Sequence, residues 1–227
     1  GYELAIIVGH GVKRLLDDQC DEFYYLTVTN QNHAQPALPV DTPGLEEGIV
    51  RGLYRCRAAQ GGPAQVRLLG AGAILLEAIA AAELLAQDFG VHAEVWSATS
   101  FTELARDARD VQRANRLRPA RSPRLSHAQQ CLDGALPVVA ATDHVRAVPQ
   151  LIAEYLNVAS YTTLGTDGFG RSDTRTALRA FFEVDRFHIA LAALDAMARS
   201  GAVERGLVAR AIERYAIDAQ SCAPWSV

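Results

Sequence analysis

The sequence lacks the features that mark several classes of protein. Its four cysteines are scattered through 227 residues without a Cys-x-x-Cys pair, so we predict reduced thiols in a cytoplasmic protein rather than a disulfide or zinc framework. No apolar run approaches the roughly 18 residues that a membrane span needs. Acidic residues (26) outnumber lysine and arginine (22), and the net charge is -4. We therefore expect neither a membrane nor a nucleic acid as a partner.

Common catalytic signatures are also missing. The six histidines show no His-x-His or His-x-x-x-His spacing, which argues against a zinc or iron site. No Gly-x-Ser-x-Gly motif marks a serine hydrolase. We therefore predict no metal ligands and no cofactor-binding residues in this chain, and these motifs assign no catalytic residue.

The chain does contain an alternation of strand and helix patterns from residue 65 onward. Short apolar runs that favour strands are separated by longer stretches that favour helices. The predicted strands are residues 66–69, 91–96, 137–141 and 161–164. One predicted helix ends at residue 86, and the others cover residues 101–118, 145–156, 189–199 and 203–215. This order predicts a three-layer α/β domain with a largely parallel sheet.

The first 62 residues follow another pattern. Residues 4–8 form a continuous apolar run and residues 23–28 are β-branched and aromatic, so both predict strands. Residues 45–57 predict an amphipathic helix. We divide the chain into residues 1–62, which end in a linker, and a domain of residues 63–227. Because the chain begins almost inside a predicted strand, we expect it to be a fragment of a longer protein.

The stretch 164–182, LGTDGFGRSDTRTALRAFF, combines a strand end, three glycines and a helix start. Glycines allow the positive φ angles of a sharp turn, and Ser172 or Asp173 is the expected N-cap of the helix. A helix start attracts anions, so the loop is either a phosphate cradle or a capped turn. The sequence leaves both interpretations open.

Two other features could hold a ligand. Gly70-x-Gly72 follows a strand and opens a helix like a dinucleotide fingerprint with Glu94 as the ribose ligand, but Leu75 replaces the third glycine. The alternative is a tight turn that packs the helix on the sheet. Residues 30–36 place amides and a histidine at the end of a strand, where ligands bind in open α/β sheets, or else form an exposed connection. A stand-alone anion- or nucleotide-binding regulatory domain therefore stays an open hypothesis.

Five segments of the chain are considered together: FYYLTVTNQNHAQPALP (23–39), GLEEGIVRGLYR (44–55), VRLLGAGAIL (66–75), SFTELARD (100–107) and LGTDGFGRSDTR (164–175). In order along nearly the whole chain, they resemble the C-terminal part of the homodimeric pyruvate dehydrogenase decarboxylase component. The last two segments are specific to the family, whereas a Gly-x-Gly alone is not.

The resemblance implies a transketolase-like enzyme that uses thiamine diphosphate and magnesium. It implies that residues 1–62 are the tail of a pyrimidine-binding domain plus a linker, and that residues 63–227 are the transketolase-like C-terminal domain. The diphosphate-binding domain and the glutamate that contacts the cofactor would lie upstream. Asp167-Gly168 resembles the start of the magnesium motif, but the asparagine ligands expected about thirty residues later are absent, so we expect no cofactor on this chain alone.

The resemblance also places the loop of residues 29–36 at the rim of the active site. The family usually has a glutamate where this chain has Gln31, a tyrosine where it has His33 and, in one branch, a histidine where it has Ala34. Gln31 can exchange hydrogen bonds but carries no charge, and His33 offers a proton donor. We name Gln31 and His33 as rim residues, and these departures leave open a paralogue that acts on another 2-oxo acid.

The function that the resemblance implies is oxidative decarboxylation of pyruvate, with transfer of the acetyl group to a lipoyl group, in a cytoplasmic multienzyme complex. The expected partners are the chain's own missing N-terminal domains, the second subunit of a homodimer and a dihydrolipoyl acyltransferase. We expect this portion to be structural and dimer-forming, and to be inactive by itself.

Overall fold

The computed structural model describes residues 1–29, 32–39 and 42–226, and its centre is a mixed five-stranded sheet. The strands are β1 Leu53–Arg57, β2 Val66–Gly70, β3 Ala93–Ala98, β4 Val138–Ala141 and β5 Tyr161–Leu164. They lie in the order β1-β3-β2-β4-β5, with β1 antiparallel to β3 and the other neighbours parallel. Strands β2 to β5 lie where the sequence predicts them.

Helices cover both faces of the sheet. The α-helices are α1 Tyr2–Val12, α2 Leu45–Val50, α3 Ile74–Phe89, α4 Phe101–Leu117, α5 His127–Leu132, α6 Ala147–Gln150, α7 Arg175–Phe181, α8 Arg186–Arg199 and α9 Arg205–Arg214. A π-helical turn at Lys13–Asp17 continues α1, and 3-10 turns form at Ala153–Tyr155 and Pro224–Ser226. Among the described residues no helix combines the length and apolar character needed to cross a membrane.

Alternate residues of each strand build two separate cores. Leu68 of β2 packs with α3 and α8 on one face, whereas the adjacent Leu69 packs with α4 and α5 on the other. Successive strand side chains point to opposite faces, so a strand covered on both sides is apolar throughout. The predicted three-layer α/β domain with a largely parallel sheet is confirmed.

The turn from β2 into α3 depends on Gly70. A Cβ at this position would lie 2.5 Å from the Cα of Leu75, so the absence of a side chain lets α3 pack directly against the sheet. Glu94, the expected ribose ligand, already accepts hydrogen bonds from Arg55 (3.0 Å) and Arg67 (3.2 Å). The structure therefore favours the packing turn over the dinucleotide site.

Several expectations about individual elements are wrong. Residues 4–8 lie within α1 rather than a strand, and residues 23–28 form no regular secondary structure. The helix predicted at residues 45–57 ends at Val50, after which the chain turns into β1. The helix predicted at residues 145–156 is reduced to α6 and a 3-10 turn. Pro149 has no N–H to bond the carbonyl of residue 145, so a continuous helix cannot begin at that residue.

One physical reason explains why neither of these two predicted strands forms. A strand needs a neighbour to bond its backbone N–H and C=O groups, and within the described ranges nothing pairs with residues 4–8 or 23–28. A helix satisfies its backbone internally, so the first apolar run adopts that form. Strand β1 of the sheet lies before residue 62 in the chain. The division of the chain at residue 62 stays a prediction.

Candidate functional site

A cleft of about 280 Å³ opens at the carboxyl ends of the parallel strands, and we call it the carboxyl-edge cleft. Ligands of open α/β sheets bind at this edge. Its walls come from the segments after β2, β4 and β5, from the α7 region, and from the N-terminal segment. The lining residues are Thr29, Ala73, Ile74, Asp143, Thr166, Gly168, Phe169, Gly170, Arg171, Arg175, Leu178, Arg179, Phe182 and Val184.

The glycine-rich loop after β5 is fixed by the loop after β4. The Thr166 N–H donates to the His144 carbonyl (2.9 Å) and its hydroxyl donates to the Asp143 carbonyl (2.7 Å). Asp167 accepts hydrogen bonds from the backbone N–H of Arg146 (2.9 Å) and from its Nε. Burial by itself would raise the pKa of Asp167, but the Arg146 bonds and charge outweigh it and lower the pKa.

The C-terminal turn covers the same loop. Gly168 has φ +97°, and a Cβ there would lie 2.8 Å from the Pro224 carbonyl oxygen and 3.0 Å from the Cα of Trp225. The guanidinium of Arg146 stacks 4.6 Å from the centre of the Trp225 ring. Position 168 thus requires glycine for two reasons, its positive φ angle and the close approach of another backbone segment.

The N-cap of the helix after this loop lies one residue beyond the second of the two expected N-caps. Thr174 is the N-cap of α7 and accepts a hydrogen bond from the Ala177 N–H (3.3 Å), so the prediction of Ser172 or Asp173 is wrong. Asp173 instead accepts a hydrogen bond from the Thr174 N–H (2.6 Å). All three side chains compete for the same free backbone donors, and the turn geometry decides among them.

Three arginines give the cleft its positive charge. Arg171 stacks 4.3 Å from the centre of the Phe181 ring, Arg179 donates to Glu77 Oε1 (3.0 Å), and Arg175 lies on the first turn of α7. Among the described residues that line the cleft, Asp143 is the acidic one. Arginine stays protonated at physiological pH, so these three side chains can bind an anion but cannot transfer protons.

The structure describes one of the two predicted rim residues. Gln31 lies outside the described residues. His33 is half-buried, and its Nε2 has no hydrogen-bond partner among the residues that the structure describes. Thr29, from the start of the same loop, lines the carboxyl-edge cleft, whereas His33 does not. The structure therefore brings the beginning of the rim loop and the glycine-rich stretch to one cleft.

The side chains around Asp167 do not fit a magnesium site. Asp167 is engaged by Arg146, and within the described ranges no three histidine, cysteine, aspartate or glutamate side chains converge in a way that could hold a metal. Magnesium needs several converging oxygen ligands. Asp167 therefore serves to anchor the loop.

Sequence reasoning missed the contact of the C-terminal turn and the pairing of Arg146 with Asp167. A weak signal for the pair was present, because each residue follows a predicted parallel strand and such segments meet at one edge of the sheet. No comparable signal existed for Trp225, since its contact depends on how the last helices return the chain to that edge.

Comparison with known proteins gives the family. A family profile described as "Transketolase-like TK C-terminal domain" matches residues 52–185. The pyruvate dehydrogenase E1 component of Pseudomonas aeruginosa is 47% identical over 98% of this chain and 25% of its own length. The one from Cupriavidus necator is 47% identical over 100% of this chain and 25% of its own.

A solved transketolase from Leishmania mexicana overlaps 68% of this chain and 19% of its own length, at 19% identity and a TM-score of 0.46. The chain spans about a quarter of the length of the curated relatives it matches. It belongs to the transketolase-like C-terminal domain family, and the curated relatives that it matches from end to end are pyruvate dehydrogenase E1 components.

Proposed function

We propose that this chain is the C-terminal portion of a pyruvate dehydrogenase E1 component. The longer protein would decarboxylate pyruvate oxidatively and pass the acetyl group to a lipoyl group. The observation that carries the proposal is the 47% identity to proteins of this name, spread over 98% of the chain. Identity spread in this way involves both the sheet domain and the N-terminal segment, not a single motif.

The chain's own part in this function is structural. The N-terminal segment leaves large apolar side chains in water, among them Leu16 (70% exposed), Phe23 (88%), Tyr25 (85%) and Val28 (72%). Clustered apolar exposure of this kind is typical of a surface that another element covers. We assign that cover to the remainder of the longer protein, with residues 1–62 as the tail of its pyrimidine-binding domain plus a linker.

The cofactor site belongs to the remainder of the longer protein as well. The family resemblance implies magnesium and thiamine diphosphate, and the latter would supply a nucleophilic carbon when bound. The described residues of this chain do not fit a magnesium–diphosphate site, because Asp167 is paired with Arg146 and no three of their histidine, cysteine, aspartate or glutamate side chains converge to hold a metal. The isolated chain is therefore expected to be inactive.

The remaining partners follow from the same proposal. The longer protein would be a cytoplasmic homodimer that meets a dihydrolipoyl acyltransferase in a multienzyme complex. Gln31 and His33 would stand at the rim of its active site, where the family usually has a glutamate and a tyrosine. Their different charge and shape would tune the choice of 2-oxo acid rather than the bond-breaking step.

Substrate choice in the full-length gene product tests this proposal. We expect kcat/KM for pyruvate to exceed that for 2-oxobutyrate and for 2-oxoglutarate, and the variant Gln31→Glu to change these ratios by severalfold. A full-length protein that prefers another 2-oxo acid would instead be the paralogue. Arg205→Gln, on the exposed first turn of α9, is the control that should leave the ratios unchanged.

The charge of the carboxyl-edge cleft favours a second candidate function, the binding of a small anionic regulator. Arg171, Arg175 and Arg179 face a space of about 280 Å³ with Asp143 as the acidic side chain in its wall. Calorimetric titration with pyrophosphate and with ADP tests it. Saturable binding that Arg171→Ala weakens at least about tenfold, and that Arg205→Ala does not change, would favour this candidate. Absence of binding would leave the cleft as a contact surface within the longer protein.

A further inference from the structure

The end of α4 and the loop after it carry a concentration of positive charge that the proposed function does not use. Residues 113–124, RANRLRPARSPR, contain five arginines and no acidic residue, and we call them the arginine loop. Helix α4 begins after the carboxyl end of β3 and leads back toward the start of β4. The arginine loop therefore lies at the opposite edge of the sheet from the carboxyl-edge cleft.

The side chains of the five arginines point into solvent. All of them are exposed, and none forms an ion pair within the part of the chain that the structure describes. By contrast, Arg106, earlier on α4, pairs with Glu103. Like charges held close together repel one another, while the chain as a whole has a net charge of -4. The loop thus concentrates positive charge on an acidic molecule.

Hydrogen bonds hold the arginine loop in one shape. The side-chain amide of Asn115 donates to the Arg124 carbonyl (2.9 Å), and its oxygen accepts from the Arg124 N–H (2.9 Å). Inside this closure the Arg121 N–H donates to the Arg118 carbonyl (3.0 Å). An ordered loop loses little conformational entropy when a partner binds. The guanidinium groups are therefore presented on a fixed frame rather than on a free tail.

Two apolar side chains accompany the charge. Leu117, within the loop, is 58% exposed, and Leu125, directly after it, is 51% exposed, so both offer an apolar contact close to the guanidinium groups. Guanidinium groups bond carboxylates in pairs of parallel hydrogen bonds. The loop contains no aromatic side chain on which a nucleic acid base could stack.

We propose that the arginine loop is a docking surface for an acidic protein segment that also carries apolar side chains. Carboxylates of that segment would pair with the guanidinium groups, and its apolar side chains would cover Leu117 and Leu125. The proposal does not depend on the proposed enzymatic function, because the loop lies away from the carboxyl-edge cleft.

A labelled peptide of repeated Glu-Glu-Leu units tests the proposal on the full chain by fluorescence anisotropy. We expect saturable binding that weakens as salt is raised, and no binding of the matching Gln-Gln-Leu peptide. The variant R118E/R121E should weaken binding at least about tenfold. The variant R205E/R210E makes the same change in net charge on exposed arginines of α9, and it should change the affinity less than about twofold.

A further variant separates the shape of the loop from its charge. Asn115→Ala removes the two hydrogen bonds to Arg124 and leaves the charge unchanged, so we expect binding to weaken severalfold. Equal weakening by both charge-reversal variants would contradict the proposal, because the overall charge would then explain the binding. The proposal would also be overturned by absent peptide binding, or by tighter binding of duplex DNA or of phosphatidylserine vesicles than of the peptide.

Discussion

Single carboxylates join elements that lie far apart in the chain. Glu77 of α3 is 5% exposed and accepts four hydrogen bonds, one from Arg179 of α7 and three from Arg186 at the start of α8. Asp167 joins the loops after β4 and β5 through Arg146 in a similar way. These pairs could not be predicted from the sequence, because nothing in a run of residues states which arginine meets which carboxylate.

Glu77→Gln tests how much one such carboxylate contributes. We expect the free energy of unfolding at neutral pH to fall by about 3 kcal/mol, because two guanidinium groups lose their charged partner in a buried position. Urea denaturation measures this change. Glu83→Gln is the control on the same helix, since the Glu83 side chain is 55% exposed where it pairs with Arg57, and it should cost less than about 1 kcal/mol.

The effect of Glu77 should also depend on pH. Burial would raise the pKa of Glu77, but the hydrogen bonds and charge of Arg186, with Arg179, outweigh it and lower the pKa in the folded chain. A carboxyl with a lowered folded pKa stabilises above its unfolded pKa of about 4.3, and this stabilisation is lost as the pH falls through the folded pKa. The deficit of Glu77→Gln should therefore shrink in acid, and a deficit that stays constant would contradict this account.

At the scale of whole elements, the spacing of apolar residues predicted the segments whose packing neighbours lie in this chain. Strands β2 to β5 and helices α3, α4 and α8 follow from their apolar spacing, because each packs against a neighbour present in the chain. Residues 4–8 and 23–28 have strand-like sequences but no ladder partner among the described residues. The strand, turn and helix around the glycine-rich loop were also predictable. The positions of Thr29 and Asp143 in the wall of the carboxyl-edge cleft were not, because both residues come from distant segments.

The contact between the glycine-rich loop and the C-terminal turn can be tested with two glycines of one loop. We expect Gly168→Ala to lower the free energy of unfolding by about 2 kcal/mol, because the residue has φ +97° and its Cβ would meet the Pro224 backbone. Trp225 should move to a wetter environment, which a red shift of tryptophan emission reports. Gly170→Ala adds a Cβ with nothing within 4 Å, and equal effects of the two substitutions would show that this contact is unimportant.

The N-terminal segment gives a second prediction at this scale. Val8, Phe23 and Tyr25 are exposed in this chain, and we expect the remainder of the longer protein to cover them. Hydrogen exchange over residues 2–28 should therefore be much slower in the full-length gene product than in the 227-residue chain. Residues of β2 and β4 serve as the internal control, because they are buried in both. Equal exchange of the N-terminal segment in both proteins would contradict the proposed contact.

At the scale of the molecule, the chain belongs to a known domain family, and its similarity to the curated relatives extends beyond the part that the family profile matches. The family profile covers residues 52–185, whereas the identity to the curated relatives extends over 98% of the chain. The chain supplies a positively charged cleft and an anchored loop, and the described residues that line the cleft include neither histidine nor cysteine. This arrangement is consistent with a portion that supports catalysis performed elsewhere in a longer protein.

The most direct measurement compares CO₂ release from pyruvate by the full-length gene product and by the 227-residue chain alone. Each protein is supplied with thiamine diphosphate and magnesium, and folding is checked by circular dichroism. We predict turnover by the full-length protein that disappears when thiamine diphosphate is omitted, and no turnover by the chain alone. Turnover by the chain alone, or none by the folded full-length protein, would contradict the assignment of this chain as a supporting portion of a pyruvate dehydrogenase E1 component.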